Sequence, residues 1–190
     1  MDFADQERLF IASSPSDALR AELVSVVQQA RSSLTGLRWL NATNYHLTLR
    51  FLGEITTQQQ TILEEGLTRL AARTQPMTLD WTRWGVFPAP ANPRVVWLGL
   101  GGETLPALTD LVKEIRSIGW EDPIEQRFQA HVTVARSRQP KKLSRYQLER
   151  LPLPKHPWLI DKITLFSSKL SQSGTVYQPV FTKPLIEPVR

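Results

Sequence analysis

An α+β domain built of two similar halves is the fold this sequence predicts, and three observations support it. Short apolar strands alternate with amphipathic helices along the chain. The order strand, helix, strand occurs twice, at nearly the same interval. Each second strand carries the same pattern, His-aliphatic-Thr-aliphatic, once beginning at His46 and once at His131. Such internal repetition fits a tandem duplication, and two units of this kind pack around a pseudo-twofold axis. The 190 residues are therefore read as one two-lobed domain spanning 1–190, a length that one domain can fill.

The elements are taken in chain order. Arg8 to Ser13 (RLFIAS) is a short apolar run of strand length. Ser16 to Leu34 is a helix, because Leu19, Leu23, Val26, Val27 and Ala30 recur at the spacing of one helical face. Ser16, just after Pro15, is placed to cap it. Tyr45 to Leu52 alternates strictly and reads as a half-buried strand. Thr57 to Ala72 is a helix with Ile62, Leu63, Leu67 and Leu70 on one side. Met77 to Phe87 is a strand, and the proline-rich stretch 88–93 is a loop between the halves. The pattern then restarts. Arg94 to Leu100 is a strand, Gly101-Gly102 a turn, and Leu105 to Ile118 a helix with Leu108, Leu111, Val112 and Ile115 inward. Phe128 to Ala135 alternates like Tyr45 to Leu52. Leu159 to Leu170 and Thr175 to Phe181 are closing strands.

Composition narrows the chemistry. There are no cysteines, which excludes disulfides, thiolate nucleophiles and cysteine-ligated zinc. Histidine chemistry must use His46, His131 or His156, the three the chain has. The net charge of +5 favours anionic partners such as RNA, nucleotides or phosphate esters. No run approaches the roughly 20 apolar residues of a membrane helix. The first ten residues, MDFADQERLF, carry acids where a signal peptide is basic. A cytoplasmic protein with no membrane partner is expected.

In YHLTLRFL, alternation sends His46, Thr48 and Arg50 to one face and Leu47, Leu49 and Phe51 to the other. In RFQAHVTV, Arg127, Gln129, His131 and Thr133 share a face. Each strand thus offers an apolar side to a core and a histidine, a threonine and an arginine to the opposite side. In-line opening of a cyclic phosphate needs a base on one side of phosphorus and an acid on the other, and two imidazoles supply both near neutral pH. Threonine hydroxyls and arginines supply donors to the developing charge. No metal or cofactor is needed. A single His-x-Thr strand is more often just a strand with a polar face. Two of three histidines in the same pattern, at equivalent places of a repeat, are hard to ascribe to coincidence.

With these motifs, the sequence resembles the 2H phosphoesterases and, more narrowly, the RNA 2′,3′-cyclic phosphodiesterases, also described as 2′-5′ RNA ligases. The resemblance runs through RLFIA, NYHLTLRFLGEI, RVVWLGL, RFQAHVTVAR and LFSSKLSQSGTVYQPV. It implies a bilobal α+β fold with two antiparallel sheets lining a central cleft and helices outside. It implies hydrolysis of a terminal 2′,3′-cyclic phosphate on RNA to a 2′-phosphomonoester, with reversible ligation a further activity. His46 and His131 match the catalytic histidines, and Thr48 and Thr133 the phosphate-binding threonines. Arg136 matches a substrate-contacting arginine, and Phe51 an aromatic that stacks on the base. Alternation places Phe51 and Arg136 on the face opposite the histidines, so a bulge or strand end must turn them into the cleft. His46 is assigned as general acid toward the 3′ oxygen and His131 as general base for water. Ala130 departs from the proline often found before the second histidine in this family. A small cyclic nucleotide or oligoadenylate substrate and a non-catalytic RNA-binding module are the competing readings.

Arg50 and Arg127 face the cleft by parity and are expected to contact phosphate or RNA. The basic run Arg136, Arg138, Lys141, Lys142 and Arg145 is either an RNA contact or a solvated loop and helix start. His156, between prolines and without a threonine, is a surface loop residue. The tryptophans, among them Trp81, Trp84 and Trp97, fall in apolar strand patterns and belong to the core. Gly101-Gly102 lacks a phosphate-loop continuation and is a turn. A monomer is expected.

Overall fold

The apolar faces read from the sequence are the ones the structure buries. In the computed structural model, which describes residues 8–120, 128–137, 142–171 and 174–186, α1 (Asp17–Ser33) buries Leu19, Leu23, Val26, Val27 and Ala30. The Ser16 hydroxyl accepts from the Leu19 amide and caps the first turn. α2 (Thr57–Ala71) buries Leu63, Gly66, Leu67 and Leu70, and starts with a reciprocal capping box between Thr56 and Gln59. Ile62, expected on its inner face, is exposed. α3 (Leu105–Ser117) buries Leu108, Leu111, Val112 and Ile115. A short α4 (Arg145–Glu149) is capped by Ser144 and Gln147.

The strands are β1 (Arg8–Ser13), β2 (Arg38–Trp39), β3 (Leu47–Glu54), β4 (Met77–Phe87), β5 (Val95–Gly101), β6 (His131–Arg136), β7 (Trp158–Ile160), β8 (Lys162–Ser171) and β9 (Gly174–Pro184). They form one hydrogen-bonded path, β7-β4-β5-β6-β3-β1-β8-β9, with β2 attached to β6. All of the strand pairs are antiparallel. The path divides in the middle. β3 and β6 meet at the single pair Leu47↔Val132. On either side lies a group of four: β3-β1-β8-β9 and β6-β5-β4-β7. The two sheets expected to line a cleft are thus the two arms of one curled sheet, and the His-x-Thr strands are its central pair.

Three features differ from the sequence expectation. The apolar run 159–170 breaks at Asp161, where the chain leaves β4 and crosses to β1. No glycine or proline marks that crossing. β9 extends beyond Phe181 and runs through Pro179, which pairs with Phe166 at a register shift. Proline is tolerated there because β9 is an edge strand. β2 is two residues long, too short to carry a period. Among the described residues no helix is long and apolar enough to cross a membrane.

Candidate active site

The central strands present their two motifs to one space. Leu47 and Val132 are fully buried in the core, while His46, Thr48, His131 and Thr133 are half-buried on the other side. Because β3 and β6 are antiparallel about Leu47↔Val132, each histidine is flanked by the threonine of the other motif.

Each imidazole is held the same way. His46 Nδ1 lies 2.7 Å from the Asn44 carbonyl, and His131 Nδ1 lies 2.7 Å from the Gln129 carbonyl. A carbonyl only accepts, so each Nδ1 donates, and in the neutral ring Nε2 carries the lone pair. Aromatic rings wall both. Phe10 and Tyr177 stand 4.9 and 5.1 Å from the His46 ring. Phe87 and Trp97 stand 5.2 and 6.0 Å from His131. Burial against these walls pushes the His46 pKa down to about 4, the Asn44 carbonyl opposes the shift, and His131 when protonated and the Arg136 charge add to it. His131 is lowered as well, again by burial and against the pull of the Gln129 carbonyl. Both rings are neutral at pH 7 in the free protein.

A bulge in each motif strand sets the direction of the residues beyond the threonines. Ala12 pairs with Thr48 but Ile11 with Arg50, so Leu49 is skipped. Trp97 pairs with Thr133 but Val96 with Ala135, so Val134 is skipped. These four pairings, the two bulged residues and the two histidine-anchoring carbonyls are related by one constant offset in sequence, the duplication expressed in hydrogen bonds. After each bulge, parity inverts. Phe51 is 75% exposed and 6.3 Å from Phe10, which itself packs on His46. Arg136, the equivalent residue, is exposed on β6 and close enough to act on both His46 and Tyr177. The turn these two side chains require is present in both strands.

The same bulge corrects Arg50. Simple alternation put its side chain beside the histidines, but it points into the interior and is 1% exposed. Its guanidinium donates to the carbonyls of Ile115, Ile118 and Trp120 at 2.9, 2.8 and 2.8 Å and lies 5.0 Å over the Trp120 ring. It therefore caps the carbonyl end of α3, where a cation is favoured. Arg127, Arg138 and Lys141 lie outside the described residues. His156 is exposed and bound to Glu22 at 2.9 Å. Gly102, at φ +105°, makes the turn into α3. Trp84 is buried, as read. Trp97 is buried too, but it also walls His131. Tyr177, Phe10 and Phe87 wall the histidines although no local pattern marks them as site residues. Phe10 lies within RLFIA and Tyr177 within the closing segment, and those matched stretches are where a signal lay. Among the described residues no three His, Asp or Glu side chains converge.

Known proteins share this fold. The model of the LigT-like phosphoesterase family matches residues 14–97 and again 99–177, one match for each half. An RNA 2′,3′-cyclic phosphodiesterase of Archaeoglobus fulgidus is 30% identical over 131 residues, 68% of this chain and 72% of its own. One of Thermotoga maritima is 27% identical over 179 residues, 92% of this chain and 93% of its own. The crystal structure of E. coli LigT in apo form superposes with a TM-score of 0.74 at 25% identity, covering 95% of this chain and 98% of that one. E. coli LigT complexed with 3′-AMP gives the same TM-score and identity over 96% and 100%. With the family model matched along both halves and two His-x-Thr strands at the centre of the sheet, this chain belongs to the LigT-like phosphoesterases of the 2H superfamily.

Proposed function

We propose that this phosphoesterase opens a 2′,3′-cyclic phosphate at an RNA end and leaves a 2′-phosphomonoester, using two histidines and neither metal ion nor cofactor. The observation that carries the reading is the matched pair of imidazoles, each tethered through Nδ1 to a backbone carbonyl, each with Nε2 as its lone-pair nitrogen. The names of the relatives and the 3′-AMP bound by E. coli LigT support a nucleotide occupant.

Water attacks phosphorus while His131 Nε2 takes its proton. The bond from phosphorus to the 3′ oxygen breaks on the opposite side, and His46 Nε2–H protonates that oxygen. Thr48 and Thr133 hydroxyls donate to the non-bridging oxygens, and Arg136 neutralises their charge. Phe51 stacks on the base. A His46 pKa near 4 means that the free protein holds a ready base and no acid. The phosphodiester anion supplies what is missing, since its negative charge offsets the field of Arg136 and raises the His46 pKa on binding. The 5′-hydroxyl of another RNA in place of water would join two ends 2′-5′. We place the protein in the cytoplasm as a monomer.

A cyclic phosphate with sulfur at the 3′ bridging position tests the division of labour. A thiolate leaves without a proton, so His46→Ala regains activity on this substrate and His131→Ala does not. The reverse pattern exchanges the two roles. A 3′-phosphate product from the ordinary substrate would refute the direction of opening.

A further inference from the structure

A groove of about 930 Å³ opens beside the histidine pair, and most of it is not used by the reaction just described. Its walls include Arg31, Arg38, Arg94 and Arg136, with Trp39 and Tyr177 between them, and no carboxylate among the described residues that line it. It is continuous with the site. Tyr177 stands against the His46 ring, and Asn44, another lining residue, holds His46 through its carbonyl and donates its amide to the Thr175 carbonyl at 2.8 Å.

The short strand β2 builds this groove. It lies along β6 just beyond the point where β3 departs, with Leu40 N–H bonded to the Val134 carbonyl. In that register Arg38 stands directly across from Arg136, and Trp39 across from Ala135. Like charges opposite one another on neighbouring strands repel, and an anion bound between them relieves that repulsion. Arg31 from α1 lies 5.7 Å over the Trp39 ring, adding charge next to an aromatic face. Cationic side chains with interleaved aromatic faces are what a single-stranded nucleic acid requires, for its phosphates and its bases respectively. A cyclic mononucleotide, seated at the histidines, would use Arg136 and make no use of Arg31, Arg38, Trp39 and Arg94.

We infer that the groove formed by Arg31, Arg38, Trp39 and Arg94 beside Arg136 holds the nucleotides on the 5′ side of the cyclic phosphate, so that the protein selects single-stranded RNA ends over cyclic mononucleotides. This rests on the function proposed above and names its substrate more closely. Arg136 serves as the hinge between the two regions, touching the reacting phosphate on one side and facing Arg38 on the other.

The test compares adenosine 2′,3′-cyclic phosphate with a tetranucleotide ending in the same group, for wild type, the double variant Arg38→Gln/Arg94→Gln, and Arg145→Gln as a basic control outside the groove. Wild type favours the tetranucleotide in kcat/KM by about tenfold or more, and this margin falls with salt as phosphate contacts are screened. The double variant loses the margin while its rate on the mononucleotide and its Tm stay near wild type. Arg145→Gln keeps the margin. A wild type without length preference, or a margin that survives the double substitution, overturns the inference and leaves the reaction standing. If neither substrate is hydrolysed, the reaction proposed above fails, and fluorescence anisotropy with a 3′-phosphorylated tetranucleotide then decides the groove alone. Weaker binding by the double variant supports it, and equal binding overturns it.

Discussion

Arg50 offers a prediction in which the residue type and the structure point opposite ways. An arginine two residues after a His-x-Thr motif invites a phosphate-binding role. Here three of its donated bonds, at 2.8–2.9 Å, end on backbone carbonyls at and beyond the last turn of α3. In Arg50→Met the volume is roughly kept, but the buried Ile115 carbonyl and the half-buried Ile118 and Trp120 carbonyls lose a charged donor. Each hydrogen bond to a charged group contributes about 1.5–3 kcal/mol. Against that sum stands the relief of no longer burying a guanidinium, a cost of several kcal/mol. The net loss expected is about 3–5 kcal/mol, the usual range when one partner of a buried charged network is removed. Urea unfolding monitored by tryptophan fluorescence measures it directly. Activity at low temperature, corrected for the folded fraction, keeps kcat/KM within about threefold of wild type, because the residue touches no substrate. A stability loss under about 1 kcal/mol together with a raised KM would refute this reasoning and return Arg50 to the site.

Three further outcomes are expected from the same geometry. Thr48→Val and Thr133→Val each lower kcat by about 10²-fold, the usual cost of one donor to a developing oxyanion, with little change in Tm; a change confined to KM would show ground-state binding only. The folded pKa of His46 is about 4 against an unfolded value of 6.5, so the unfolded chain binds the extra proton between those limits. The stability from keeping His46 neutral is complete above pH 6.5 and is lost as pH falls toward 4. His46→Gln flattens that decline in denaturant titrations between about pH 7 and 4.5, and an unchanged slope would contradict the depressed value. A Cβ at Gly85 would lie 2.2 Å from the Trp97 ring, so Gly85→Ala shifts the indole that walls His131. The expected result is a loss of about 1–3 kcal/mol with reduced kcat, and a fully active variant would show that the wall is not needed.

The parts of this protein legible in its sequence are those governed by local periodicity. The buried faces of α1 and α3 were readable because three-and-four spacing and burial are the same fact. So were the core side of β3 at Leu47 and that of β6 at Val132. The duplication pointed to His46 and His131 because it put two rare residues in equivalent places. A bulge, by contrast, adds one residue without altering composition. Leu49 and Val134 look like ordinary members of an alternating run, yet they exchange the faces of everything after them. This is why simple alternation misplaces Arg50, and why only the resemblance turns Phe51 and Arg136 toward the histidines. Tyr177 reaches His46 through a distant edge strand, and β2 is too short to announce itself. Neither has a local signature.

The most direct test of the two-histidine account is hydrolysis of a short RNA ending in a 2′,3′-cyclic phosphate, with EDTA present, by wild type, His46→Ala and His131→Ala. The account predicts conversion by wild type to a 2′-phosphate end, reduced by about 10²–10⁴-fold in each variant. Conversion that stops on adding EDTA, or that survives both substitutions, would contradict it.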